Sequence, residues 1–596
     1  MHNYTNLNII SYLLFNVHQT EKLLEHDYFN SFDKESLQML LEAVKDFSDK
    51  ELYPYIKEMD EKPAYFKAGK IIVHPQFETI LKQAAEMDLV NAIFSFEEGG
   101  LQLPTSVFHC LYFIMEAANN HVTGYMGLTL GAANLIVNFG TQELKDLYAS
   151  KMLNLQWGGT MCLTETQAGS SLSDIKTQAV KSTDSDYYLI EGQKIFISAG
   201  DHQFADNFVH LVLARVKGAS EGIKGVSLFV VPNKRPKGDG YEDNNVKVLG
   251  EFEKMGQRGY CTTHLSFGEE NNCQGWLVGE ENKGLSYMFQ LMNEARIATG
   301  RMGAGIASAA YYASLQYANE RPQGRLLNAT GKKDVSAEQT LIINHPDIKR
   351  MLLLQRAIVE GSLSLIMQTA KYFDTLKICD DSEKEKYNLL LELLTPIVKT
   401  YPADQGQRAV NNGLQILGGY GFCSDFILQQ YYRDIRIMSL YEGTTGIQSL
   451  DLLSRKVTIK NGKALHYLVE EMKDTITKAF KYDDLKDYAE QLKIQSQLIK
   501  MVMGELIPKA LEGDFENFLA DATVFMDFLS TLVIGWQWLK IGVTACETKS
   551  ESGLEANLIH TMAYFYTYEM PKIDSLATIL LNDKSLTVKA NQNTFD

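Results

Sequence analysis

Glu442 is the residue whose surroundings best suit acid–base chemistry. It stands directly before a glycine in the stretch Tyr441-Glu442-Gly443-Thr444. Glycine has no Cβ, so backbone and ligand can approach each other closely at Gly443. A carboxylate fixed in such a turn is a candidate general base, whereas about nine lone glutamates in ten are solvated surface groups. Motifs elsewhere in the chain decide between these interpretations.

The segment around Glu442 resembles a known family. Residues 432–448 (YRDIRIMSLYEGTTGIQ) resemble the C-terminal signature of acyl-CoA dehydrogenases, and residues 446–456 (GIQSLDLLSRK) resemble the branch whose members are about as long as this chain. The resemblance covers roughly residues 80–456 and extends more weakly to both ends. It implies that Glu442 is the catalytic base and that Gly443 contacts the substrate.

A second motif, Met161–Ser170 (MCLTETQAGS), lies near the middle of the chain. Taken alone, it predicts a strand followed by a polar turn. It also resembles the family's flavin-binding segment, which implies that Thr164 contacts the isoalloxazine and that Ser170 lies near the flavin phosphate and the acyl-CoA. Thr166 replaces the usual proline and Ser171 an aspartate often found there, which bears on the shape of the turn.

A third motif, Lys194–Gly200 (KIFISAG), predicts an alternating strand from its residues alone. It resembles the family's strand that places an aromatic ring against the flavin and a hydroxyl group beside it. The resemblance therefore implies that Phe196, Ile197 and Ser198 bind the cofactor. Tryptophan and threonine are frequent where this chain has Phe196 and Ser198, and both replacements keep the chemistry.

Two further segments resemble those that reach the flavin of a neighbouring subunit. In Asn319–Arg325, Arg321 is implied to bind the pyrophosphate, for which a guanidinium is well shaped, with Gln323 beside it. Gln415, Gly418 and Gly419 are implied to contact the adenosine part, so at least a dimer is expected. The full set of implied flavin contacts is Met161, Leu163, Thr164, Gly169, Ser170, Phe196, Ile197, Ser198, Arg321, Gln323, Gln415, Gly418, Gly419, Thr444 and Gly446.

Glu294 is a competing candidate for the base. In some relatives the catalytic glutamate comes instead from the helix around residues 290–300, immediately before an arginine. Here Ala295 precedes Arg296, and Glu294 is one residue further away. One helical step turns a side chain by about 100°, so Glu294 is expected to point elsewhere. Arg296 then either holds the substrate or orients the loop of the base. The implied substrate contacts are Ser170, Asn293, Arg296 and Gly443.

The resemblance implies FAD-dependent α,β-dehydrogenation of an acyl-CoA thioester. Glu442 removes the pro-R α-proton while a hydride leaves Cβ for flavin N5, and an electron-transfer flavoprotein is the expected electron acceptor. The expected assembly is a homodimer or a homotetramer. Two alternatives stay open: an acyl-CoA oxidase that uses O2, and a flavin-binding relative without dehydrogenase activity.

Composition excludes several other classes of function. The chain has 596 residues, 45% of them hydrophobic, and a net charge of −17 that disfavours binding to nucleic acid. Seven scattered cysteines predict neither disulfides nor a metal site, and they fit a reducing, cytoplasmic location. The apolar run Leu7–Val17 lacks a basic flank and a cleavage site, so no signal peptide is predicted. The run Phe528–Leu539 is too short for a transmembrane segment, which favours a buried helix over peripheral membrane contact.

The elements that must position these residues form an α+β multidomain protein. Helical spacing predicts helices before residue 157, with Pro54 ending one and Thr141 capping another. Short β-branched runs then predict an antiparallel, barrel-like β domain, including a hairpin around residues 183–186. Helices return afterwards, interrupted by a loop at residues 324–345 and by a turn at Asn461-Gly462. The predicted domains are an N-terminal extension (1–80), an N-terminal helical domain (81–157), a β domain (158–272), a four-helix-bundle domain (273–461) and an additional helical domain (462–596).

Overall fold

The computed structural model describes residues 2–183, 185–238, 240–270, 272–548 and 553–596, without the side chains of residues 290 and 291. The chain forms two compact units. The first contains residues 1–2, 43–103 and 114–295, and the second contains residues 3–42, 104–113 and 296–596. The predicted fold class is confirmed, with helices on both sides of a β-rich middle region. The predicted domain boundaries stay predictions, because the two units divide the chain at other positions.

The region before residue 157 is mostly helical, as predicted, and contains one short β-hairpin between α3 and α4. Thr141 is the predicted N-cap, and its Oγ1 accepts a hydrogen bond from the backbone N–H of Leu144 at 3.4 Å. Pro54 does not end a helix: it lies in the first turn of the helical stretch Tyr53–Tyr55, where its missing N–H is tolerated, and α3 follows directly. The helices are α1 Leu7–Ser11, α2 Lys34–Phe47, α3 Ile56–Glu61, α4 Gln76–Glu86, α5 Thr105–Ala118, α6 Thr123–Phe139, α7 Gln142–Leu144 and α8 Ser150–Leu153.

The strands begin with a hairpin and continue into the β region. Asp184, in the turn predicted at residues 183–186, lies outside the described residues, and β4 and β5 flank it. The strands are β1 Tyr65–Lys67, β2 Lys70–Ile72, β3 Trp157–Cys162, β4 Gln178–Lys181, β5 Tyr188–Ser198, β6 Asn207–Val216, β7 Val226–Pro232, β8 Lys234–Lys237, β9 Gly240–Asp243, β10 Val246–Glu251, β11 Thr262–Phe267 and β12 Gln274–Leu277.

The β region closes on itself. Pairing runs β5–β12–β7–β6–β4 and returns to β5, while β11 and β10 extend the sheet from β5. Most pairs are antiparallel as predicted, but β3 and β4 each pair with β6 in parallel. Buried apolar side chains such as Tyr188, Val212, Phe229 and Phe267 fill the interior, which explains the alternating pattern of these strands.

The second unit is built mainly from long helices. The predicted loop lies between α9 and α10, and the predicted turn is present because Lys460, Asn461 and Gly462 all have positive φ. The helices are α9 Gly284–Glu320 (its residues up to 295 belong to the first unit), α10 Pro346–Ile378, α11 Asp381–Leu417, α12 Leu428–Ile435, α13 Thr445–Asp451, α14 Ile459–Ala479, α15 Lys486–Leu511, α16 Phe515–Leu519, α17 Ala522–Thr548, α18 Leu554–Tyr568, α19 Lys572–Leu580 and α20 Leu586–Lys589.

Glycines bring α9 and α11 into close contact, as the Gly/Ala-rich sequence predicts. A Cβ at Gly300 would lie 1.8 Å from the carbonyl oxygen of Val398, and a Cβ at Gly303 would lie 3.1 Å from that of Pro402. Only a residue without a side chain fits at Gly300, so this position fixes how closely the two helices pack.

The apolar run Phe528–Leu539 is part of helix α17, and this helix extends beyond both ends of the run. By length and composition, residues Phe515–Thr548 could cross a membrane, yet 61% of their most apolar stretch is buried inside the protein. Trp536 and Trp538 of this run are among the largest fully buried side chains. The prediction of a buried helix is therefore confirmed.

Candidate active site

The turn that carries Glu442 has an unusual backbone. Glu442 has φ +53° and Gly443 has φ +87°, so two successive residues are left-handed. Glycine adopts this conformation without cost, but a glutamate does so only where its surroundings hold it. Strain of this kind is concentrated at functional sites, which supports the choice of Glu442 over an ordinary surface carboxylate.

Two side chains hold this turn by its carbonyl groups. Gln448 Nε2 donates to the Glu442 carbonyl at 2.8 Å, and Lys399 Nζ donates to the Gly443 carbonyl at 2.8 Å. A Cβ at Gly443 would lie 2.6 Å from Gln448 Nε2. Gly443 is therefore required both for its backbone conformation and for the approach of Gln448.

The flanks of the turn are also fixed. Thr444 caps α13 by accepting the backbone N–H of Ile447 at 3.3 Å. Asp404 of α11 accepts the hydroxyl groups of Ser439, at 2.5 Å, and Thr445, at 2.9 Å, one on each side of Glu442. These bonds restrict the direction in which the Glu442 side chain leaves the backbone.

Burial raises the pKa of the Glu442 carboxyl, and the positive charges of Arg296 and then Lys399 oppose this rise. Since the residue as a whole is only half-buried, solvent screens part of both effects. A carboxyl group whose pKa is raised becomes a stronger proton acceptor once it is ionised, which suits a general base.

Arg296 is buried and lies within this network. Its Nη1 donates to Asp451 Oδ2 of α13 at 3.1 Å. Of the two roles predicted for Arg296, this geometry favours orienting the loop of the base over holding a substrate. In the first unit, Asn134 Nδ2 lies 3.2 Å from Glu294 Oε2, so the competing carboxylate takes part in a local hydrogen bond. Asn293 is half-buried on the same helix.

In the second unit, the exposed segment that follows α9 lies near the exposed segment that follows α11. The Arg321 guanidinium lies 5.8 Å from the ring centroid of Tyr420, a residue that directly follows Gly418 and Gly419. Gly418 has φ +60°, and a Cβ at either glycine would meet nothing within 4 Å. Gln323 and Gln415 are also exposed. The structure thus places Arg321 near the residue that follows the glycine pair, and their shared role stays a prediction.

In the first unit, the motif Met161–Ser170 leaves β3 and makes a closed turn. Backbone hydrogen bonds join Glu165 and Ala168 in both directions, at 2.9 and 3.0 Å, although Thr166 replaces the usual proline. Ser171 Oγ donates to Asp174 Oδ2 at 2.6 Å, so a carboxylate lies nearby even though Ser171 replaces aspartate. The turn forms despite both departures from the family pattern.

Glu165 and Lys194 link this turn to the third motif. Lys194 Nζ donates to Glu165 Oε1 at 2.8 Å and to the Leu163 carbonyl at 3.0 Å, and Ile195 N–H donates to the Thr164 carbonyl at 2.9 Å. Burial acts to raise the pKa of Glu165, but Lys194 and further hydrogen bonds outweigh it and lower the pKa to about 2. The segments 161–170 and 194–198 are therefore one rigid piece.

Phe196 presents an aromatic ring to solvent. It is 56% exposed, has φ +56°, and lies against Phe252 in a tilted arrangement, with ring centroids 4.6 Å apart and ring planes at 38°. A register shift against β11 near this point turns the ring outward, while Ile197 stays buried and Ser198 pairs with Thr262. An exposed, strained aromatic residue in a rigid strand suits contact with a planar ligand.

Sequence reasoning missed the residues that hold the site. Lys399, Gln448 and Asp404 fix the turn of Glu442, and Glu165 and Lys194 fix the β-region motifs. A lysine between Pro396 and Pro402 in an apolar helix was the available signal for Lys399. The partners of these side chains are distant in sequence, so no local pattern identifies them.

Four protein-family models match successive segments of the chain. They are "Acyl-CoA dehydrogenase, N-terminal domain" at residues 34–156, "Acyl-CoA dehydrogenase, middle domain" at 160–269, "Acyl-CoA dehydrogenase, C-terminal domain" at 282–457 and "Acetyl-CoA dehydrogenase C-terminal like" at 468–590.

Individual proteins resemble the chain over most of its length. It is 33% identical to 3-methylmercaptopropionyl-CoA dehydrogenase of Ruegeria pomeroyi, over 89% of each chain. It is also 33% identical to a broad-specificity linear acyl-CoA dehydrogenase of Mycobacterium tuberculosis, over 78% of this chain and 76% of the relative. A crystal structure of acyl-CoA dehydrogenase complexed with FAD from Bacillus anthracis has a TM-score of 0.73 at 22% identity, covering 95% of this chain and 90% of that one. At that identity the structural likeness concerns the fold.

Proposed function

Because this chain belongs to the acyl-CoA dehydrogenase family, as its motifs predicted, we propose that Glu442 is the base that removes the α-proton of an acyl-CoA thioester. The protein is an oxidoreductase that acts on acyl-CoA, and its cofactor is FAD. The observation that carries the proposal is the left-handed, doubly anchored turn at Glu442 and Gly443. A carboxylate held in this way needs little reorganisation before proton transfer.

The donor set of the first unit fits FAD. Phe196 offers an exposed ring, Thr164 and Ser198 offer hydroxyl groups, and the backbone at Gly169 is open, since a Cβ there would meet nothing within 4 Å. In the second unit, Arg321 offers a guanidinium suited to phosphate oxygens beside the open backbone of Gly418 and Gly419. When bound, FAD would accept at N5 the hydride that leaves the substrate Cβ.

The residues of the chain then have distinct tasks. The Glu442 carboxylate takes the α-proton, and its backbone N–H would donate to the thioester carbonyl, where negative charge develops. Gly443 lets the thioester approach the backbone. Arg296 orients the base through Asp451, while Ser170 and Asn293 would contact the CoA ester. We further propose that Arg321, Gln323, Gln415, Gly418 and Gly419 reach the cofactor of a second subunit, so that a dimer is the smallest active form.

Anaerobic titration with a graded series of acyl-CoAs tests this function. We expect bleaching of the oxidised flavin by some chain lengths, with one enoyl-CoA formed per flavin. Absence of bleaching across the series would support the alternative of a flavin-binding relative without dehydrogenase activity. Turnover with an electron-transfer flavoprotein or an artificial acceptor, without oxygen consumption, supports a dehydrogenase. Oxygen consumption at the rate of turnover would instead identify an acyl-CoA oxidase.

A further inference from the structure

Lys399 is a buried cation in the helix beneath the turn of Glu442. Its side chain is fully buried in α11, and its Nζ donates to the Gly443 carbonyl at 2.8 Å. A buried lysine is rare because removing its charge from water costs free energy unless a partner compensates. Lys399 therefore has a role that outweighs this cost.

The surrounding helices keep Lys399 in place. Pro396 and Pro402 lie on either side of it and each removes one hydrogen bond of the helix, so α11 is locally less regular. On the facing helix, Gly300 brings α9 against the backbone of Val398 and Lys399. The Lys399 side chain is fully buried, and its ammonium group is directed to the turn of the base.

The charges that face Lys399 come from three elements. Burial lowers the pKa of Lys399 to about 8. The negative charges of Asp404, on the same helix, and then of Glu442 oppose this fall, whereas the positive charge of Arg296 on α9 adds to it. Asp527 of α17 faces Asp404 in turn, and burial and then the charge of Asp404 raise the pKa of Asp527 to about 6. The positive charge of Lys399 acts to lower the pKa of Glu442, and the negative charge of Glu442 acts to raise that of Lys399, so the two groups act on each other.

We propose that Lys399 is a positioning residue for the base: it anchors the Glu442 turn through the Gly443 carbonyl, and its positive charge favours the ionised carboxylate. This inference rests on the proposed function of Glu442 and extends it to a residue outside the motifs. The anchoring requires only a hydrogen-bond donor at Nζ, whereas the electrostatic effect requires the charge. The two roles can therefore be separated by substitution.

The test compares Lys399→Met with Lys371→Met in the full-length, FAD-loaded protein. Lys371 is a matched control because its Nζ also donates to a backbone carbonyl, that of His18, at 2.5 Å. We expect kcat of Lys399→Met to fall about 10- to 100-fold with little change in KM, because the turn loses its anchor. The acid limb of its kcat/KM profile moves to higher pH by about one unit, because a nearby opposite charge is lost. In Lys371→Met, neither kcat nor the acid limb moves.

Lys399→Gln separates the two roles. Its amide keeps N–H donors on a side chain one bond shorter and carries no charge, so we expect it to recover part of kcat while its acid limb stays displaced. An acid limb that stays in place in both Lys399 variants overturns the proposal. An equal displacement in Lys371→Met overturns it as well, because the effect would not depend on the turn.

A measurement without acyl-CoA distinguishes failure of this inference from failure of the proposed function. In protein labelled with carboxyl-¹³C glutamate, the Glu442 signal is identified by its loss in Glu442→Gln. We expect this carboxyl group to titrate at higher pH in Lys399→Met and Lys399→Gln than in the wild type, even if no acyl-CoA bleaches the flavin. Unchanged titration in variants that keep their FAD and melting temperature overturns the inference.

Discussion

Two buried lysines, one in each unit, hold segments with proposed functions by similar contacts, but with different electrostatics. Lys194, in the β region, donates to the Leu163 carbonyl and pairs with the carboxylate of Glu165. Lys399, in α11, donates to the Gly443 carbonyl. Both side chains are fully buried.

The difference lies in where each charge acts. Glu165, held by Lys194, keeps a pKa of about 2, and its charge opposes the fall that burial causes in the pKa of Lys194, so the pair acts as a clamp. The charge of Lys399 instead acts on Asp404 and Glu442, and its own pKa is lowered to about 8. We infer that the proposed cofactor segments, 161–170 and 194–198, need a fixed shape. The proposed base, Glu442, needs both a fixed position and a nearby positive charge that acts on its pKa.

The largest expected effect is on the base side of this comparison. Glu442→Gln removes the proton acceptor and keeps the size of the side chain, so turnover should fall by at least about 10²-fold, and up to about 10⁴-fold. The protein should stay yellow, because none of the proposed flavin contacts of the first unit changes. Steady-state assays together with the flavin spectrum check both statements, and near-normal turnover would refute the assignment.

Loss of the clamp should act on stability rather than on proton transfer. Lys194→Met removes the ion-pair partner of the buried Glu165 carboxylate, which keeps only its hydrogen bonds from residues 167, 176 and 177, and loss of such a partner typically costs about 3–5 kcal/mol. We expect a lower melting temperature and a loss of bound FAD. The double variant Lys194→Met/Glu165→Gln should recover part of the stability, since it removes the uncompensated charge. A double variant as unstable as the single one would show that the pair is not the cause.

The contributions of Glu165 and Lys399 to stability should also change with pH in different ranges, one acidic and one alkaline. The pKa of Glu165 falls from 4.5 to about 2 on folding, so its contribution is fully present above pH 4.5 and is lost as the pH falls towards 2. The pKa of Lys399 falls from 10.5 to about 8, so the unfolded chain binds more protons between these values and stability rises as the pH increases from 8 to 10.5. Each effect is at most about 3–4 kcal/mol. Melting curves of Glu165→Gln and Lys399→Gln against the wild type should lack the acid and the alkaline slope, respectively.

Helix packing beneath Lys399 offers a smaller and separate test. Gly300→Ala would place a Cβ 1.8 Å from the Val398 carbonyl oxygen, and such overpacking costs about 1–3 kcal/mol. Gly504→Ala in α15 is the matched control, because its Cβ would meet nothing within 4 Å. That control should gain up to about 1 kcal/mol from helix propensity. Equal melting temperatures for the two variants would contradict the role of Gly300.

The smallest effect is expected at the competing carboxylate. Glu294→Gln should change kcat/KM by less than about threefold, because the proposed base is elsewhere and Asn134 can still bond the amide. The assay is the same as for Glu442→Gln. A large loss in Glu294→Gln would transfer the role of the base to α9.

The sequence predicted the secondary-structure elements and the candidate reactive residues better than the contacts that hold them in place. Periodicity located the strands, and the turn at Asn461-Gly462 followed from turn chemistry. The parallel pairing of β3 and β4 with β6 was missed, because alternation shows which face is buried but not which strand lies alongside. Pro54 was misinterpreted because a proline is equally compatible with the start and the end of a helix.

The candidate site shows the same division. Glu442, Phe196 and Arg321 are predicted as site residues from motifs, and their strained or exposed geometry suits the proposed roles. Lys399 lies 43 residues before Glu442, and its bond to Gly443 depends on how α11 packs beneath the turn. Contacts between distant segments are set by tertiary packing, which one sequence does not record.

The central claim, that Glu442 removes the α-proton, can be tested apart from flavin reduction. An acyl-CoA without hydrogen on its β-carbon allows the proton step alone, and mass spectrometry follows deuterium uptake at its α-carbon in D2O. We predict uptake with the FAD-loaded wild type and with Glu294→Gln, and a loss of at least about 10²-fold with Glu442→Gln. Uptake by Glu442→Gln at the rate of the wild type would contradict the assignment of the base.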